Sequence, residues 1–81
     1  MLLEIISPDK SLYTGEILSL QVPGSKGSFE ILKNHAPIIS TLEKGMINIR
    51  DKEGKQQSFE VDGGVIEAKN NKIIVLAEKA K

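Results

Sequence analysis

The chain has 81 residues, with eleven basic and eleven acidic side chains, a formal net charge of zero, one histidine and no cysteine. A chain this short forms one domain and buries only about 60% of its unfolded surface, and zero net charge leaves no electrostatic footprint for a nucleic-acid backbone. The lack of cysteine excludes disulfide staples, thiolate metal sites and thiol nucleophiles, and it fits a reducing compartment.

Met1 is followed by Leu2-Leu3-Glu4-Ile5-Ile6, where Glu4 and the missing basic leader rule against a secretory signal. No apolar run approaches the ~20 residues of a membrane-spanning helix, so the chain reads as a soluble protein that could still dock on a membrane complex. Ser7-Pro8-Asp9 is the first turn signal. Leu18, Leu20 and Val22 then alternate with Ser19 and Gln21, the period of a strand with one wet face. Pro23-Gly24 ends that run. The following Gly24-Ser25-Lys26-Gly27-Ser28 does not meet the G-x-x-x-x-G-K-[ST] spacing of a phosphate loop, and a strand rather than a helix comes next. It reads as a surface turn, with partner contact as its functional alternative.

A short strand around Phe29 to Leu32 leads into Lys33-Asn34-His35-Ala36-Pro37. Asn34 tolerates a positive φ there, and Pro37 forbids helix. His35, the only neutral-pH base, has no carboxylate closer in sequence than Glu30, so the reading favoured for it is a ring that bonds local backbone and fixes the turn. Ile38 and Ile39 must point to opposite sides of an extended chain, which leaves one of them outward. Ile47 and Ile49 flank Asn48, and Phe59 and Val61 alternate with Ser58, Glu60 and Asp62, giving two more strands. Between them, Asp51-Lys52-Glu53-Gly54 lacks the remaining ligands of a calcium loop and reads as a hairpin turn. Asp62-Gly63-Gly64 reads as a further turn between two strands. Val65-Ile66 and Ile73-Ile74-Val75-Leu76-Ala77 are apolar on both faces. Burial between layers is favoured for most of these residues, with contact to another subunit as the alternative.

The pattern predicts an all-β fold over residues 1–81: a small antiparallel β-sandwich of two packed sheets, about eight short strands, and no helical hairpin. No catalytic, cofactor-binding or metal constellation is expected. One alternative of a different class is a biotinyl or lipoyl carrier domain, in which Lys44 would carry the arm on a tight hairpin. Its flanks, Glu43 and Gly45-Met46, match neither Met-Lys-Met nor Asp-Lys-Ala.

The order and spacing of Tyr13-x-Gly15, Val22-x-Gly24, Gly27-x-Phe29-x-Ile31-Leu32, His35-Ala36-Pro37, Gly45-Met46-Ile47-x-Ile49, Phe59-x-Val61-x-Gly63-Gly64-Val65-x-Glu67 and Asn71 to Val75-Leu76-Ala77-Glu78-x-Ala80 resemble one family from Leu3 to Ala80. It is the epsilon subunit of the bacterial F-type ATP synthase, called delta in mitochondria. Lys33-Asn34 departs from the Pro-Gly or similar pair common in that family. The resemblance implies a non-catalytic rotor subunit of the central stalk, coupling proton or sodium flow to ATP synthesis and needing no cofactor. It implies contact with the gamma shaft through Ser7, His35, Ala36, Ile38, Ile39 and Thr41, and with the c-ring through Ser25, Lys26, Gly27, Ser28 and Glu30. The implied location is peripheral, on the cytoplasmic face of the bacterial plasma membrane. Family sandwiches are normally followed by a regulatory helical hairpin. The sequence ends at Lys81, and the expectation is a natural short form whose tail from Glu78, spanning at most about 14 Å, exerts little inhibition on the catalytic head.

Overall fold

The structure, a computed structural model, describes residues 1–78, and every regular element in that range is a strand. Lys79, Ala80 and Lys81, where the likeness and the short tail were expected to end, lie outside the described residues. The strands are β1 (Leu2–Ile6), β2 (Ser11–Val22), β3 (Phe29–Leu32), β4 (Ile38–Asp51), β5 (Gln56–Lys69) and β6 (Lys72–Ala77). They pair in the order β1-β6-β5-β4-β2-β3, and β1 also pairs with β2. The sheet therefore curls back on itself into a flattened, barrel-like sandwich, 26 × 23 × 17 Å in extent.

Strands are fewer and longer than the sequence pattern suggests, because glycines that read as turns act as bends. Gly63 and Gly64 lie inside β5, extended but at φ 125° and 151°, a conformation open to glycine at little cost. β5 stays in the ladder there, and its register with β4 runs on unshifted, with Leu42 opposite Gly64 and Lys44 opposite Asp62. Gly64 also sits against β6, where a Cβ would collide with the Leu76 carbonyl oxygen. β2 bends differently: its register with β4 slips between Ile17 and Ser19, and the unpaired Leu18 is turned outward, as a bulge does. That bend hands β2 from β1, which pairs with its first half, to β4 and β3.

The antiparallel arrangement has one parallel seam. β1 runs parallel to β6, from Leu2 opposite Lys72 to Ile6 opposite Leu76. A parallel pair needs a long connection, and the rest of the domain supplies it. β1 closes the sheet because Leu3 and Ile5, alternating with Leu2, Glu4 and Ile6, are fully buried in a core shared with Leu20, Ile31, Ile47, Ile49, Ile66, Ile73 and Val75. The core is aliphatic, and no polar side chain of the described residues is buried in it. Tyr13 and Phe59 stand at its margin with ring centroids 6.0 Å apart and planes tilted by 53°. Partial burial, with a smaller contribution from the charge of Asp51, raises the Tyr13 phenol above its ordinary value.

The turns follow local chemistry. Asp51 closes the β4–β5 hairpin, its carboxylate accepting from the backbone N–H groups of Glu53 and Lys55 at 2.9 and 3.0 Å. Asn70 and Asn71, at φ 53° and 61°, form the two-residue β5–β6 turn, the geometry of a type I′ hairpin.

Candidate docking surfaces

The loop from Lys33 to Pro37 is held at both ends. Asn34 has φ 66°, and the N–H of His35 donates to the Leu32 carbonyl at 3.1 Å. Across the domain, Asn34 N–H donates to Asn71 Oδ1 at 2.7 Å and Asn71 Nδ2 donates back to Asn34 Oδ1 at 3.1 Å. His35 is exposed, and its Nδ1–H donates to the Ala36 carbonyl at 2.7 Å. The local role read for it from the sequence is thus the one its geometry has.

Beyond this loop, strand alternation divides the two isoleucines. Ile38 packs against the core, and Ile39 is 72% exposed, the most open large apolar side chain of the described residues. The registers of β4, β5, β6 and β1 carry the outer face across four strands. One row runs Thr41, Val65, Leu76, Ile6, and the next runs Ile39, Glu67, Ile74, Glu4. Val65 and Leu76 are 39% and 53% exposed, and Ile74 and Ile6 are half-buried. Single exposed apolar residues are ordinary, but a contiguous group on one face marks an interaction surface. Burial between layers, the reading favoured for the doubly apolar runs, holds for Ile66, Ile73, Val75 and Ala77. For Val65 and Leu76 it does not hold, because period-two geometry sends them outward. Those two, with Ile74 and Ile6, are surface residues absent from the family-derived set. For Ile74 and Leu76 the signal is the run Ile73 to Ala77, which holds no polar residue.

The remaining residues of that set distribute unevenly. Thr41 is on the apolar face, with Ile39 two residues away on the same side of β4. His35 and Ala36 lie exposed at the end where β6 begins, while Ser7 follows Ile6 at the end where β6 finishes. Ser7 Oγ donates to the Lys10 carbonyl at 3.1 Å and holds the β1–β2 turn.

Ser25, Lys26, Gly27 and Ser28 form an exposed loop, closed by a Gly27 N–H bond to the Gly24 carbonyl at 2.9 Å. This loop is fastened to β4: Ser25 N–H donates to the Thr41 carbonyl at 3.1 Å, and Thr41 Oγ1 donates to Ser25 Oγ at 2.9 Å. The two residue sets, separate in the sequence, therefore meet. Residues Gly24 to Phe29 and Ile38 to Thr41 line one hollow of about 530 Å³. Glu30 is the exception. It pairs with Gln21 and faces a polar trough with Ser19, Asn48, Arg50 and Ser58, in which Ser58 Oγ donates to Asn48 Oδ1 at 2.8 Å. One residue beyond Phe29 on an alternating strand suffices to send it away from the loop.

Lys44 stands in mid-β4, opposite Asp62 of β5. A lysine inside a paired strand is not at a hairpin tip, and the carrier-domain alternative fails on that geometry. Among the described residues no group of three or more His, Cys, Asp or Glu could hold a metal ion.

These elements make a small all-β domain with an aliphatic core, an apolar outer face and an adjoining polar loop. The chain belongs to the ATP synthase, Delta/Epsilon chain, beta-sandwich domain family, whose profile matches residues 1–81. The ATP synthase epsilon chain of Leptospira borgpetersenii is 50% identical over 74 residues, which are 91% of this chain and 58% of that protein. The epsilon chain of Chlorobium limicola is 37% identical over 76 residues and is covered for 86% of its length. The chain thus spans little more than half of its Leptospira relative and most of its Chlorobium relative. The fold recurs in a chain of the Euglena gracilis mitochondrial ATP synthase, OSCP/F1/c-ring structure, with a TM-score of 0.91 at 14% identity, covering all of this chain and 52% of that one.

Proposed function

We propose that this domain is a non-catalytic rotor element of an F-type ATP synthase that joins the gamma shaft to the c-ring, so that ion-driven rotation of the ring reaches the catalytic head without slip. Its family supports the reading, as do relatives named as epsilon chains. The observation that carries it is the meeting of two unlike surfaces at the bond between Ser25 and Thr41. An adapter between two partners needs both surfaces, and a coupling element needs them rigidly joined. The apolar face around Ile39, Val65 and Leu76 suits burial against the shaft, since interface cores are depleted of charge. The loop from Ser25 to Ser28, short, exposed and hydroxyl-rich, suits the polar loops of the ring. Of the residues inferred from the resemblance, Ile39 and Thr41 are the central shaft contacts, with His35, Ala36 and Ser7 at its two ends. Glu30 flanks the ring contact from the neighbouring face.

The domain works as a single unit over residues 1–81, peripheral to the membrane through its complex, on the cytoplasmic face of the bacterial plasma membrane. Its chemistry is mechanical: it forms no bond with nucleotide, and either a proton or a sodium ion could drive the ring it serves. Purifying the tagged chain from its own host under mild detergent tests this reading. Gamma and c subunits should dominate what co-purifies. Recovery of the assembled synthase from the same membranes without this chain would overturn it.

A further inference from the structure

The outer face is not uniformly apolar, and its charges are ordered by strand register. Glu67 of β5 sits opposite Ile39 on one side and Ile74 on the other, with Glu4 next in the same row. On the adjacent row, Lys69 and Lys72 face one another across β5 and β6. Neither Glu67 nor Glu4 forms an ion pair among the described residues. Glu67 and Lys69 also make a ridge between two hollows. One, of about 470 Å³, is lined by Pro37, Ile38, Ile39 and Ala68, and the other, of about 390 Å³, by Asn70, Lys72 and Ile74.

An exposed carboxylate is ordinarily indifferent, because water solvates it. This one occupies the position that a partner covering Ile39 and Ile74 must also cover. Once desolvated, a carboxylate without a counter-charge opposes binding, whereas one met by a cation favours it and fixes the register of docking. We infer that the partner surface that buries Ile39 and Ile74 brings a guanidinium or ammonium group onto Glu67, seated on the ridge between the two hollows. The inference rests on the shaft-docking reading and goes further by stating the chemistry of the partner at that point. Three features select a cation there. The carboxylate makes no ion pair among the described residues, a second carboxylate lies one apolar residue away in the same row, and Ile39 and Ile74, which flank it in that row, would help exclude water and strengthen the attraction. The paired lysines of the next row oppose a partner that slides by one row, since its cation would then meet Lys69 and Lys72.

The test uses the whole chain and the gamma subunit encoded in the same genome. Glu67→Gln keeps size and hydrogen-bonding capacity and removes the charge, so the direction of its effect decides the matter. The cation requires Glu67→Gln to weaken gamma binding by about tenfold or more, to flatten its dependence on salt, and to leave the melting temperature unchanged; Glu67→Lys should weaken it further. Without a cation, neutralising the carboxylate relieves a desolvation penalty, and Glu67→Gln binds as well as wild type or more tightly. That outcome overturns the inference. Ile39→Ser separates this failure from failure of the docking reading. If Ile39→Ser weakens binding while Glu67→Gln does not, the surface is right and the cation wrong; if neither variant weakens it, the shaft does not dock on this face.

Discussion

Replacing Ile39 by serine removes an apolar side chain that does nothing for the folded domain on its own. It is 72% exposed, so nearly three quarters of its burial is still to be gained when a partner covers it. Complete burial of an isoleucine side chain is worth about 1.5–3 kcal/mol, and the remaining share is therefore about 1–2 kcal/mol, a fivefold to thirtyfold loss of affinity. Ile38→Ser inverts the pattern. Ile38 packs against the core, and its truncation should cost about 1–3 kcal/mol of stability. Calorimetric titration of gamma, paired with thermal melts of both variants, separates the two effects. Ile39→Ser should melt with wild type and bind weakly. Binding of Ile39→Ser within twofold of wild type would refute the reasoning, because no other side chain on the face has as much exposure to lose.

Gly64→Ala should destabilise the domain by about 2–5 kcal/mol, from positive-φ strain and overpacking together, because a Cβ meets the Leu76 carbonyl oxygen at φ 151°. In so small a domain this lowers the melting temperature by about 10 °C or more, and a melt within a few degrees of wild type would show that β5 and β6 can separate freely there. Tyr13 predicts an alkaline limit. Its folded phenol is raised above the ordinary value near 10, first by burial and then by Asp51. The contribution is whole below that ordinary value and is lost as pH rises through the raised folded value. Denaturant titrations at increasing pH should show stability falling from about pH 10 upward, with a shallower fall in Tyr13→Phe; equal slopes in both proteins would remove Tyr13 as the cause.

Much of this is legible in the sequence, and each departure has its own physical reason. Alternation gave the strands and the wet face, and the adjacency of Ile38 and Ile39 required that one be outward. Which one is not legible, because it depends on which face of β4 the curled sheet turns to the core. Asp62-Gly63-Gly64 read as a turn because glycine pairs usually terminate strands. Here they bend one, and six strands replace about eight. Leu76 and Val65 read as core because their runs lack polar residues, and only the registers of Thr41 with Val65 and Val65 with Leu76 assemble them with Ile6 into a surface. The contact between Ser25 and Thr41, 16 residues apart, is tertiary, and no local pattern announces it. Glu30 joins the ring set through the resemblance, and the strand's alternation sets it on the neighbouring face, beside Asn48 and Ser58.

The central claim is that one rigid domain holds shaft and ring at once through adjoining surfaces. With no native cysteine in the chain, single cysteines placed at Ile39 and, separately, at Lys26 can be cross-linked in the assembled membrane-bound synthase without background from other thiols of this chain. Ile39→Cys should yield an adduct with gamma and Lys26→Cys an adduct with subunit c, and locking either one should leave ring and shaft turning together. Adducts to neither subunit, in an enzyme that still contains this chain, would contradict it.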